Sequence, residues 1–480
     1  MDGALSIASS ALGAATTEIG VTSENLANAQ TSGYVSESAQ LAAQAGGDAL
    51  GVGAGVLVTG VTRQSDPLLA ANNLQAQGAL SSLAALQQVT TGIENVFPLG
   101  QSSGADASGT PTNTSVAGQL ATFWSSFDGV AQDPSALAPR TAVVDNAAGL
   151  VASLNEAATQ LGQLGTDTAA QLAGQISQVN TLLGDAAGLN AQIVAVKGGG
   201  GDPNQLLDQL DALSTKLAGL VGASVQMQPN GSALISIGGV AVVQDSEVTK
   251  LSTATALGTV ATPAGPVSAP VTTVTADQGA VVVPVSGGSV AGLLSGLNQA
   301  LPVATGELNQ VATNLATLVD NQLAKGVTAS GTPGAALFTI NGGTTPPTGP
   351  ITAATISVNP AVQANPDLLA AATNPTAAAN DGSNAAAIAE LANATGYTTS
   401  PDVAYQQLVQ DVGAEAQNAT TQVAAQSAVA QQAEQALAAV SGVNQNTELT
   451  NLMQFQSSYQ ASAKLVGVID TTLQSLLAAV

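Results

Sequence analysis

The 480-residue chain carries 31 acidic residues against seven basic ones, with no histidine and no cysteine, for a net charge of −24. Seven scattered cations (Arg63, Arg140, Lys197, Lys216, Lys250, Lys325 and Lys464) form no basic stripe for nucleic acid, and without His or Cys there is no Ser-His-Asp or Cys-His nucleophile pair, no zinc site of thiolate or imidazole and no disulfide framework. Only carboxylate, lysine or oxygen-ligated metal chemistry survives as an enzymatic option. Charged residues make up 8% of the chain and aromatic ones 2%, while 45% are hydrophobic, mostly Ala, Val and Leu. Such a chain is expected to fold through thin helical cores, in roughly two to four domains. Every long apolar stretch is interrupted by Gln, Asn, Asp or Gly within about 18 residues, so no membrane insertion is expected. A secretory signal needs a cationic start, and the first basic residue is Arg63, so export without a cleaved signal peptide is the expectation.

The first segment places Leu5, Leu12, Ile19 and Leu26 at seven-residue spacing, with Ala8, Ala15 and Thr22 offset by three, which predicts an amphipathic helix of heptad character. Asp2 is a candidate N-cap and Ser32-Gly33 a candidate stop; Gly13 and Gly20 inside it each cost about 1 kcal/mol relative to Ala. Gly51, Gly53 and Gly55 punctuate a run containing Val56, Val58 and Val61, which reads as a short hairpin near 51–62 and fits no nucleotide-binding glycine motif. Helical patterns follow over 67–97 and 115–196, separated by a Ser/Gly/Thr-rich linker at 100–115.

After the Gly198–Gly201 loop, a helix carries Asp208 and Asp211 on one face. This is the best case for an enzyme, yet the pair lacks an apolar pocket or aromatic platform beside it and reads more simply as a solvated face. The turn Pro229-Asn230-Gly231-Ser232 joins Val225–Met227 to Leu234–Ile237, and further strands are predicted at 240–243, 271–274 and 281–285, with 252–270 as loop. Helices are predicted again at 290–325 and 401–440. The last helix bears Leu452, Tyr459, Val466 and Leu473 in one series and Phe455, Ser462, Ile469 and Leu476 in the other, with Asn446 or Thr447 as candidate cap.

Two runs carry a resemblance. Asn25-Leu26-Ala27-Asn28-Ala29-Gln30-Thr31-Ser32-Gly33-Tyr34 resembles the N-terminal signature of bacterial flagellar axial proteins, and Glu448 to Lys464 resembles their C-terminal signature. Interior segments resemble the hook-associated protein 1 branch of that family: 51–66; Pro203 to Leu213, with Leu210 where relatives usually carry Arg; Val319 to Gly326, with Leu323 replacing a His; then 356–360, 365–372 and 380–384. Only about 17 residues separate Phe338 from Ile356, where longer relatives insert an outer β domain.

The resemblance implies a mainly α protein with a small β-rich subdomain, long coiled-coil-like terminal helices, a helical-bundle stalk and a reduced outer β region. The expected organisation is a terminal assembly domain of 1–43 and 441–480, a stalk of 44–221 and 289–440, a β-rich subdomain of 222–288 and a linker at 339–356. The implied function is structural: a junction ring between flagellar hook and filament. Implied partners are copies of itself, the hook protein, the third hook-associated protein, the export apparatus and a dedicated secretion chaperone. No catalytic residue, metal or cofactor is expected. Assembly contacts are expected from Leu5, Leu12, Ile19, Leu26, Leu452, Phe455, Tyr459, Val466 and Leu473, which would equally serve pairing of the two helices within one chain; Asn25, Asn28, Gly33 and Tyr34 would form the turn beneath the first helix. The alternative is another axial protein, the hook subunit or the third hook-associated protein.

Overall fold

The computed structural model describes residues 2–31, 33–45, 53–97, 103–105, 111–113, 115–263, 265–343, 351–376, 378–393 and 400–478. In chain order, helix α1 (Asp2–Asn28) leads into strands β1 (Glu37–Gln44) and β2 (Gly55–Arg63), then α2 (Pro67–Val96), β3 (Ser103–Ala105), β4 (Pro111–Asn113), α3 (Val116–Gln132), α4 (Leu137–Gly198) and α5 (Asn204–Val221). Strands β5 (Ser224–Met227), β6 (Ala233–Ile237), β7 (Val240–Gln244), β8 (Glu247–Val248), β9 (Leu251–Thr262), β10 (Gly265–Ala276) and β11 (Val281–Val283) form the middle. Helices α6 (Gly288–Ser295) and α7 (Leu301–Leu323), strands β12 (Phe338–Ile340) and β13 (Ile356–Val358), and helices α8 (Pro360–Ala364), α9 (Ser383–Ala389), α10 (Pro401–Ser441) and α11 (Gln445–Ala478) complete it. The protein is mainly α with small antiparallel sheets.

Two of the long helices start at cap-and-proline signals. Asp66 accepts the N–H groups of Leu68 (2.8 Å) and Leu69 (3.1 Å) ahead of Pro67, and Ser400 accepts that of Val403 (3.2 Å) ahead of Pro401. The 62-residue α4 is the spine, roughly 90 Å long at the α-helical rise. Its buried stripe includes Val143, Leu150, Leu154, Leu161, Leu172, Val179 and Leu183, against which α3, α5 and α7 pack. α2 lies along α10, and one continuous apolar core joins these helices to both middle sheets. The scarce aromatics concentrate at one place: Phe123 meets Trp124, Phe127 and Phe338 at ring-centroid separations of 5.0, 5.3 and 6.0 Å.

Several sequence expectations change. The segment near 51–62 is not a hairpin by itself. Its strand β2 pairs antiparallel with β1, from Glu37 opposite Arg63 to Gln44 opposite Gly55, so the partner lies upstream. The 252–270 stretch is no loop: β9 and β10 pair over twelve residues each, with hydroxyl pairs Ser252–Thr275 (2.9 Å) and Thr255–Thr272 (3.0 Å) across the ladder. The 115–196 pattern breaks at Asp133-Pro134-Ser135-Ala136, where proline ends the register. The 290–325 pattern passes through a wide π turn at 296–300 between α6 and α7. α11 is capped by Asn444, which accepts the N–H groups of Asn446 (3.1 Å) and Thr447 (3.3 Å), rather than by either of those residues. Gly3–Asn28 is, by length and composition, apolar enough to cross a membrane, because Ala, Ile and Leu outweigh its two acids. The side chain of Asp2, residue Ser32, most of the 100–115 linker and residues 344–350 lie outside the described residues.

Candidate functional site: the base of the terminal helix pair

α1 and α11 pack along each other, and the N–H of Ser36 donates to the carbonyl of Ser441 at 2.8 Å. The end of α1 therefore adjoins the start of α11, and the two helices run antiparallel. The residues α1 buries are small ones, Ala8, Ala14, Ala15 and Thr22, together with Asn25. The larger apolar side chains are left partly open. Leu12, Ile19, Leu26, Leu452, Phe455, Val466 and Leu473 are half-buried, whereas Leu5 and Tyr459 are exposed. Among the described side chains of α11 only Ile469 is buried, and Leu449, Met453, Leu465 and Val468 are exposed. The pair thus uses part of the heptad stripe within the chain and leaves a second apolar surface without an occupant.

Asn25 holds the base of the pair. Its side-chain NH2 donates to the carbonyl of Glu37 (2.9 Å), while its Oδ1 accepts the N–H of Glu37 (2.9 Å) and the hydroxyl of Tyr34 (2.9 Å). One buried amide thereby ties the last turn of α1 to the first residue of β1. Asn28 closes the helix end, donating to the carbonyl of Glu24 (3.1 Å) and accepting the Thr31 hydroxyl (3.2 Å). Gly33 turns the chain with φ +83°, a conformation that an L side chain rarely adopts. Burial and the negative charges of Glu37, Glu24, Asp208 and Glu448 hold the Tyr34 phenol above its ordinary range, so it keeps its proton and keeps donating to Asn25.

A second layer joins this base to the body. The Arg63 guanidinium, at the end of β2, reaches Asp208 at 2.6 Å and Asp211 at 2.5 Å, both on α5. Asp202 accepts the N–H of Val61 and Asn204 donates to the carbonyl of the same residue, each at 3.0 Å. Burial raises the Asp208 carboxyl despite its cation, which pulls the other way. Burial likewise raises Glu37, opposed by a hydrogen bond from Asn204. Asp208 is therefore a partly buried structural counter-ion, while Asp211 meets the same cation from the solvated side. Leu210, in place of the usual Arg, is 1% exposed and points into the core. The sequence reading missed Arg63, Asp202 and Asn204. The available signal was scarcity: Arg63 is the single cation in the first 139 residues.

The geometry holds long-range position rather than reacting atoms. It joins the two helices to a helical body through the amides of Asn25 and Asn204, the Arg63 guanidinium and the carboxylates of Asp202, Asp208 and Asp211.

Comparison with known proteins matches residues 103–338 to the family described as "Flagellar hook-associated protein FlgK helical domain" and residues 424–479 to "Flagellar basal body rod FlgEFG protein C-terminal". Curated relatives include "Flagellar hook-associated protein 1" of Salmonella typhimurium, 29% identical over 71% of this chain and 60% of the relative. The protein of that name from Bacillus subtilis is 27% identical over 98% of this chain and 97% of the relative. The chain thus spans 60% of the length of the Salmonella relative. Among solved structures, "the flagellar hook junction protein FlgK" of Burkholderia pseudomallei superposes with a TM-score of 0.61 at 20% identity, covering 78% of this chain and all of that one. That likeness is one of fold.

Proposed function

The chain belongs to the flagellar hook-associated protein 1 family, and from that premise we propose that it forms the junction ring between flagellar hook and filament and acts as adaptor for filament assembly. The observation that carries this reading is the antiparallel α1–α11 pair, whose heptad stripe is half-used within one chain. Leu5, Leu12, Ile19, Leu26, Leu452, Phe455, Tyr459, Val466 and Leu473 would complete their burial against neighbouring subunits. Each half-open Leu or Ile side chain that becomes fully covered contributes about 1 kcal/mol.

Gly13, Gly20 and Gly467 weaken both helices as isolated elements, so packing in the assembled structure would supply the missing stability. Residues 1–43 and 441–480 act as the assembly domain, and Asn25, Asn28, Gly33 and Tyr34 set its angle to the body. Its partners are copies of itself, the hook protein and the third hook-associated protein. It leaves the cell through the flagellar export apparatus, accompanied by a dedicated chaperone. The role is structural and requires no catalysis.

Electron microscopy of cells lacking this protein tests the assignment. Hooks without filaments, with filament subunits shed into the medium and recovery on re-expression, are expected; normal filaments overturn it.

A further inference from the structure

We propose that a half-open cavity between α2, α7, α10 and the tip of the β9–β10 hairpin binds an aliphatic ammonium group, with Glu307 and Asp411 as its counter-charges. The cavity measures about 570 Å³, within the range of small-ligand sites. Its walls mix aliphatic side chains, among them Ile93, Val303 and Val412, with uncharged polar ones such as Gln299 and Asn418, and its carboxylates are Glu307, Asp411 and Glu415. Glu307 is 8% exposed, and neither of its carboxyl oxygens has a hydrogen-bond partner. A buried carboxylate without donors costs several kcal/mol, and proteins rarely leave one so.

Among the described residues no cation answers that charge. None of the chain's seven cations lines the cavity. α2 presents Leu86, Thr90 and Ile93, and the hairpin tip presents Thr262 and Pro263; among the described residues the other ionisable groups lining the cavity are Asp411 and Glu415 on α10. Burial and the Asp411 charge push Glu307 up to about 7. The missing partner is therefore a cation from outside.

The chemistry of the lining selects its kind. Three carboxylates exclude an anion, and a neutral apolar guest would leave Glu307 unsatisfied. Among the described residues no group of three or more His, Cys, Asp or Glu is placed to hold a metal ion. An alkylammonium supplies three donors to the carboxylates and lays its stem on the aliphatic part of the walls. Two sources share this chemistry, a free aliphatic amine and the lysine side chain of another protein. The inference is independent of the terminal helices and goes beyond the junction role.

The test is calorimetric titration of the full chain with n-pentylammonium, with N-acetyl-lysine methylamide and with neutral pentanol. Saturable one-site binding of an ammonium probe, with pentanol at least about tenfold weaker, is expected. At about pH 6.5 binding should release up to about three-quarters of a proton, because the guest favours ionised Glu307. Tighter binding of n-pentylammonium identifies a free amine as the guest; equal or tighter binding of the lysine derivative identifies a side chain. Glu307→Gln should lose at least about tenfold in affinity while folding at least as stably as the parent. Asp411→Asn, at an exposed position, should lose several-fold and serves should Glu307→Gln misfold. No saturable binding of either ammonium probe at about 10 mM overturns the proposal, as does equal binding of pentanol or undiminished binding by both variants.

Discussion

At Arg63 a single guanidinium answers two carboxylates, and its side chain is only 9% exposed. Removing it leaves Asp208 partly buried without its cation, which is the costly way to break an ion pair. Arg63→Gln should destabilise the protein by about 2–3 kcal/mol in urea unfolding, and adding Asp208→Asn should recover part of that loss. Asp320 offers the opposite case. It accepts the N–H groups of Leu337 (2.7 Å) and Phe338 (3.3 Å), yet burial pushes its carboxyl up to about 7. Its folded pKa lies above its unfolded one, so its contribution to stability is complete below about pH 4 and is lost as pH rises to about 7. Asp320→Asn keeps the acceptor without the charge. It should match the parent at pH 4 and exceed it by about 1–3 kcal/mol at pH 8, read by thermal unfolding at both pH values. Residue roles were unevenly legible. Asn25 and Tyr34 stood out by their signature, whereas Arg63 was one of seven scattered cations, because its partners lie about 150 positions away along the chain. Leu323, where relatives carry His, is fully buried and apolar, which fits a histidine-free core.

Elements were legible where one periodicity runs unbroken. The 401–440 pattern and the Asn230-Gly231 turn needed no tertiary information, and Gly231 adopts φ +95° between β5 and β6 as that turn requires. The β9–β10 ladder was hidden because Ala, Thr and Pro give weak strand signals, and the Ser/Thr pairs across it exist only once the register is set. Helix crossings are likewise invisible in one segment. A Cβ on Gly292 of α6 would collide with the Ser82 carbonyl oxygen of α2 and lie 2.8 Å from the Ala85 Cβ. Gly292→Ala should cost about 2–3 kcal/mol. Gly174→Ala, on α4 with open space around it, should instead stabilise by about 0.5–1 kcal/mol. Denaturant midpoints of the two variants moving in opposite directions would check both.

For the whole molecule, the division of charge follows the division of labour proposed above. Residues 441–480 contain Glu448, Asp470 and Lys464, a net of −1 out of −24, so the α11 packing surface is nearly neutral and most of the acid lies elsewhere. Among the described residues the continuous core draws none from either terminal helix. A chain lacking 1–31 and 445–480 should therefore keep a cooperative calorimetric transition within about 5 °C of the parent, while losing self-association and binding to hook ends in sedimentation assays. Collapse of that transition would mean that the terminal pair holds the body together.

The sequence by itself determined the class of the protein: a cation-poor, histidine-free, mainly helical chain with matched heptad ends, because composition, caps and period-seven stripes are local properties of neighbouring residues. Only the tertiary structure decided how those ends are held and what is left unpaired. The Asn25 clamp to Glu37, the reach of Arg63 to α5 and the solitary carboxyl of Glu307 each depend on which distant segments meet, and burial turns that meeting into a cost or a gain.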